Sequence, residues 1–199
     1  MFVQIIEGKV SDKAELRRQV DRWHAELRPG ATGYLGTTGG VTDDGASFVL
    51  VRFESAAAAT SNSDRPEQGA WWAETEKCYD GPVSFTGSED VEQFLSGGSN
   101  DAGFVQVMKS SEAPDRAVMK DLDDRFAQHA ATWRPDLIGG VRVWTSPTSA
   151  VEVNYFTSEA AARANENKEP PAELADLFAQ FGEMMAKTEF IDLRDPWLF

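Results

Sequence analysis

The chain has 199 residues, 41% of them hydrophobic and 26% charged, a globular balance with room for one large domain or two of about 100 residues. Its net charge of −14 divides evenly, −7 through Gly97 and −7 beyond it; so acidic a surface repels phosphate backbones and anionic lipid, which argues against nucleic acid and membrane as partners. One cysteine, Cys78, leaves no internal disulfide and no cysteine-based metal cluster, and no apolar run approaches the roughly 20 residues that span a bilayer. With no apolar leader after Met1, a cytoplasmic location is expected.

Phe2-Val3-Gln4-Ile5-Ile6 is an apolar run of strand length. Ser11 or Asp12 then offers an N-cap, and Leu16, Val20, Trp23 and Leu27 recur at the spacing of one helix face until Pro29-Gly30 stops it. Thr32–Val41 is glycine-rich but reads as a strand, paired through an Asp43-Asp44-Gly45 turn with the strand Ser47–Phe53. The segment from Ser55 opens a short helix, and a second helix starts at Asp64-Arg65-Pro66 and runs through Trp71, Trp72, Thr75 and Cys78. Gly81-Pro82 breaks it, Val83-Ser84-Phe85 is a fourth strand, and Val91–Leu95 is expected to close the half.

The second half repeats this order. Ser96–Asn100 is a linker by composition, which sets expected domains of 1–97 and 103–199 with a linker at 98–102. Phe104-Val105-Gln106-Val107 matches the opening strand, glutamine included. A helix from Pro114-Asp115 carries Met119, Leu122, Phe126, Ala130 and Trp133; Leu137–Trp144 and Ala150–Phe156 form a hairpin. A helix from Pro170-Pro171 carries Leu174, Leu177, Phe178, Phe181 and Met185 on one face. Thr188–Leu193 is the last strand, and Trp197-Leu198-Phe199 ends the chain as Phe94-Leu95 ends the first half. The clearest repeat is Phe53-Glu54-Ser55-Ala56-Ala57-Ala58-Ala59 and, 103 residues later, Phe156-Thr157-Ser158-Glu159-Ala160-Ala161-Ala162.

Each half therefore reads βαββαβ, an α+β class with an antiparallel sheet and helices on one face. The bare face of such a sheet needs a cover, and sheet-to-sheet packing of the two ferredoxin-like units is the expected solution.

A βαββαβ unit with a Phe-x-Ser-x-x-Ala-Ala segment after its third strand resembles the dimeric α/β-barrel family, in its antibiotic biosynthesis monooxygenase-like branch; Phe53, Ser55, Ala58, Ala59 and Phe156, Ser158, Ala161, Ala162 carry the resemblance. It implies a tandem fusion completing an intramolecular dimeric α/β barrel, monomeric as a chain with further homodimerisation left open. It also implies a ligand pocket between helices and sheet in each half. Members oxidise polyketide-like aromatics without a cofactor, degrade haem, or have no known activity. In the haem-degrading branch the resemblance points to an amide, matched by Gln4 and Gln106, a tryptophan, approximated by Trp71 or Trp72, and a histidine. Gly81-Pro82 stands where that histidine is expected, so no cofactor is expected and haem is disfavoured.

Several residues weigh between chemistry and packing. Gln4 and Gln106 are amides among apolar neighbours, which need a partner or cost roughly 1–3 kcal/mol. Trp23, Trp71, Trp72 and Tyr34 would wall a pocket for a planar ligand, or pack a core. His24 and His129, one per half, are candidates for a general base or flank residues of their helices, and no metal set is present in their spacing. Asp43-Asp44 and Asp123-Asp124 read as solvated pairs. Three functions remain open: a cofactor-independent monooxygenase acting on a hydrophobic aromatic substrate, with Gln4 orienting it and His24 assisting deprotonation; a non-catalytic binding protein for a planar hydrophobic ligand; or a regulatory protein with filled pockets. A site confined to one half is expected in the first.

Overall fold

A computed structural model describes residues 1–113, 115–176, 178 and 187–199. The chain separates into two compact units: Met1–Glu89 with Trp197–Phe199, and Asp90–Pro196.

In the first unit, β1 (Phe2–Lys9) leads to α1 (Lys13–Arg22), whose first turn is capped by the Asp12 carboxylate accepting from the Glu15 N–H at 2.8 Å. The helix continues as a π turn over Trp23–Leu27 and a 3₁₀ turn over Arg28–Gly30, where Pro29 ends it. Leu16, Val20, Trp23 and Leu27, the predicted stripe, are its buried residues. β2 (Tyr34–Val41) and β3 (Ala46–Phe53) form the expected hairpin, with Gly45 at φ 86°, a conformation that favours glycine. Ser55 caps α2 (Ala56–Ser63) through the Ala58 N–H; α3 (Pro66–Thr75) and β4 (Ser84–Ser88) follow.

The second unit has β5 (Val91–Leu95), β6 (Phe104–Ser110), α4 (Arg116–Trp133), β7 (Leu137–Ser146), β8 (Ser149–Phe156), α5 (Glu159–Glu166) and β9 (Thr188–Leu193). Ser158 caps α5 as Ser55 caps α2, so the repeated segment acts as a strand-to-helix hinge in both units. Of the helix expected from Pro170-Pro171, a 3₁₀ turn at Ala172–Leu174 is seen, and Leu174 is fully buried; Leu177, Phe181 and Met185 lie outside the described residues, as does Pro114.

Both sheets are antiparallel, in the order β10-β2-β3-β1-β4 and β5-β7-β8-β6-β9, with β10 spanning Trp197–Leu198. The four strands β2-β3-β1-β4 of one sheet and β7-β8-β6-β9 of the other are the ferredoxin-like arrangement. The closing strands differ from expectation: β5, from the N-terminal half, pairs with β7, and β10, from the C-terminus, pairs with β2. The start of the expected linker is also packed, because Ser96 and Gly97 lie so close over Gly139 that a Cβ there would meet the Gly97 carbonyl at 2.5 Å. Along β1, Gln4 and Ile6 face the helices, while Val3 and Ile5 take the opposite face at 0% and 2% exposure. No helix among the described residues is long and apolar enough to cross a membrane.

Candidate functional site

Gln4, Trp23, His24, Trp71 and Trp72 converge in the first unit, between its helices and its sheet, on a cavity of about 90 Å³. That volume holds only a few waters. The aromatic residues are held by internal bonds. The Trp23 indole N–H donates to Gln68 Oε1 at 2.6 Å, and that of Trp71 donates to the Gln19 carbonyl at 2.8 Å. Trp23 and Trp71 pack 6.4 Å apart, and Tyr34 backs Trp23 at 5.0 Å with its hydroxyl bonded to Thr37 Oγ1 at 2.7 Å. Burial pushes the Tyr34 phenol up to about 12.

His24 stacks flat on Phe199, ring centroids 3.6 Å apart and 11° between planes. Its Nδ1 is buried with no hydrogen-bond partner. Burial, helped by the charge of Arg28, pushes its pKa down to about 4, so the imidazole is neutral at pH 7 and a weak base. His129, on α4, stands outside the walls of both this cavity and the larger one of the second unit.

The second unit holds a cavity of about 660 Å³ in the corresponding place, between α4 and the sheet. Leu122, Phe126 and Trp133 of α4, with Phe178, form an apolar wall. The floor is polar and cross-linked. Arg142 of β7, with its side chain 2% exposed, gives Nη1 and Nη2 to the two oxygens of Asp123 at 2.7 and 3.0 Å, Nε to Glu152 at 2.9 Å, and Nη1 to Glu92 at 3.1 Å. Burial opposes its charge, but the bond to Asp123 and the carboxylates of Glu152 and Glu92 outweigh it and hold the guanidinium protonated. Glu152 Oε1 accepts from Asn154 Nδ2 at 3.2 Å. Beside it, Gln106 Nε2 donates to Asp192 Oδ1 at 3.0 Å, and Asp192 Oδ2 accepts from Arg163.

No known family profile and no curated protein matches the sequence. Solved structures do. A proposed monooxygenase from Lactobacillus acidophilus superposes over 100% of this chain and 98% of its own, with a TM-score of 0.70 at 11% identity. One from Fusobacterium nucleatum covers 96% of this chain and 90% of its own, TM-score 0.70, at 9% identity. An anthrone oxidase-like protein covers 99% and 89%, TM-score 0.62, at 13% identity.

The chain carries the ferredoxin-like unit of the dimeric α/β-barrel fold twice. At these identities the likeness is one of fold.

Within this duplicated fold, strand register shows which positions correspond. Gly39 lies opposite Val49 and Trp197 in the first unit; Arg142 lies opposite Glu152 and Glu92 in the second. Eight residues beyond the capping aspartates Asp12 and Asp115 stand Val20 and Asp123. A glycine, two valines and a tryptophan in one unit are thus an arginine and three carboxylates in the other. Likewise Gln4 lies between Val51 and Gly87, and Gln106 between Asn154 and Asp192.

Arg142, Glu152, Asn154 and Asp192 were not singled out by sequence, and Asp123 only as half of a solvated pair. For Arg142, Asp123, Glu152 and Asn154 the signal was there in the 103-residue spacing, which sets them on Gly39, Val20, Val49 and Val51 of the first copy. Asp123 also corrects the expectation of a solvated pair: Asp124 reaches exposed Lys120 at 2.7 Å, while its neighbour turns inward, as adjacent helix positions about 100° apart can.

Proposed function

We propose that the protein binds a hydrophobic aromatic small molecule, and that its working pocket is the cavity of the second unit. The observation that carries this reading is the contrast between the two equivalent cavities. About 660 Å³ lies within the range of small-molecule sites, whereas about 90 Å³ beneath Trp23 and Trp71 does not. An apolar wall of Leu122, Phe126 and Trp133 over a few fixed polar groups is the chemistry such a ligand requires.

Oxygenation of that ligand without a cofactor is a second reading. It is supported by the fold likeness to proteins named as proposed monooxygenases and as anthrone oxidase-like. His24 is an unpromising base for it, because it lines the small cavity and its pKa is low. In the second unit proton removal would fall to a floor carboxylate such as Asp192. A haem site is disfavoured, since no histidine stands among the described residues lining the large cavity.

The test is quenching of tryptophan emission by planar aromatics in the wild-type chain and in Leu122→Trp, followed by oxygen uptake with any compound that binds. Saturable quenching abolished by Leu122→Trp is expected. Binding that Leu122→Trp leaves intact overturns the pocket assignment, and tight binders that consume no oxygen overturn the oxygenase reading alone.

A further inference from the structure

Two parallel relays cross the floor of the second-unit cavity. In one, Arg163 bonds one oxygen of Asp192 and Gln106 Nε2 bonds the other at 3.0 Å. In the other, Arg142 Nε bonds one oxygen of Glu152 at 2.9 Å and Asn154 Nδ2 bonds the other at 3.2 Å. The two amides are direct cross-strand partners on β6 and β8.

A carboxylate only accepts hydrogen bonds, so the amide edge turned toward it must be the NH₂ edge. Each arginine orients its carboxylate, and each carboxylate in turn fixes its amide. Asn154 also points its NH₂ group at the Met108 sulfur, 3.5 Å away. Its donors are thereby spent, although the residue is only 6% exposed and lines the cavity. What this pair offers a ligand is chiefly two side-by-side carbonyl acceptors, Asn154 Oδ1 and Gln106 Oε1. The first unit has no such device, because Val51 and Gly87 flank Gln4.

We propose that the Gln106–Asn154 pair makes the second-unit cavity selective for aromatic molecules bearing a hydroxyl group, whose O–H donates to the amide carbonyls. This rests on that cavity being the ligand site. A buried acceptor left unmatched is costly, so an isosteric ligand lacking the donor is rejected more strongly than its shape alone would predict.

The test is calorimetric titration of 2-naphthol and 2-methoxynaphthalene, which differ by methylation of one oxygen, into the full chain and into Asn154→Val and Gln106→Leu. Valine is the residue the same fold carries at Val51, and a thermal melt checks that each variant is folded. The wild-type chain is expected to prefer the hydroxyl compound by about tenfold. That preference should fall toward unity in both variants, with affinity for the methyl ether retained. Equal wild-type affinities overturn the selectivity while leaving the pocket standing, and so does a preference that survives both substitutions. If neither compound binds, the pocket reading fails and the selectivity with it.

Discussion

Asp123 grips Arg142 at both ends of the guanidinium, Oδ2 to Nη1 at 2.7 Å and Oδ1 to Nη2 at 3.0 Å, with the arginine side chain 2% exposed. Removing Asp123 takes the bidentate partner from a buried guanidinium and leaves it only Glu152 and the more exposed Glu92. Asp123→Val, which installs the first unit's Val20 equivalent, is expected to lower stability in urea by about 3–5 kcal/mol. The combined Asp123→Val, Arg142→Met, Glu152→Val chain should lose less than Asp123→Val alone, because no buried charge is left over. A combined loss equal to the sum of the single losses would contradict this.

Trp197 belongs energetically to the first unit. It is 2% exposed, packs with Leu16, Val20, Val41 and Cys78, and lies opposite Gly39. Trp197→Ala is expected to destabilise the protein by about 3–5 kcal/mol, as large core truncations do. The same comparison by thermal melt with Leu198→Ala, a half-buried neighbour, should show a much smaller loss. Comparable small losses from both would mean that β10 is a peripheral attachment.

Apart from the helix expected from Pro170-Pro171, the helices, most strands and the duplication were legible in the sequence, because caps such as Asp12, Ser55 and Ser158 and the stripe from Leu16 to Leu27 are local signals. The exchange of closing strands was not. Val91–Leu95 and Trp197–Phe199 are both short apolar runs, and their partners are decided by what lies opposite: Arg142 meets Glu92, while Gly39 leaves room for Trp197. The site was half legible. Gln4 and Gln106 stood out as repeated amides, but Trp71 and Trp72 drew attention to the first unit, where the indoles fill the space between helix and sheet. The informative difference lay on the sheet floor, at Val49 against Glu152, Val51 against Asn154 and Gly87 against Asp192. The first two contrasts follow the 103-residue spacing, whereas Gly87 against Asp192 appears only when register aligns the two copies.

His24 gives the protein a distinctive pH response. Its folded pKa, about 4, lies below the 6.5 of an unhindered imidazole, so the unfolded chain binds the proton more readily. The stability it contributes is therefore fully present above about pH 6.5 and is lost as pH falls toward 4. Urea unfolding of the wild type relative to His24→Phe should show a relative loss of about 2 kcal/mol across that window, partial exposure reducing the full linkage value. Parallel stability profiles would show that the ring charges freely in the folded state.

The second-unit pocket is tested most directly by calorimetric titration of 2-naphthol into three chains: wild type, Leu122→Trp, which puts an indole into the large cavity, and Val51→Phe, which crowds the small one. Binding abolished by Leu122→Trp and unchanged by Val51→Phe is the predicted result. Binding abolished by Val51→Phe and retained in Leu122→Trp would place the site in the first unit and contradict the account.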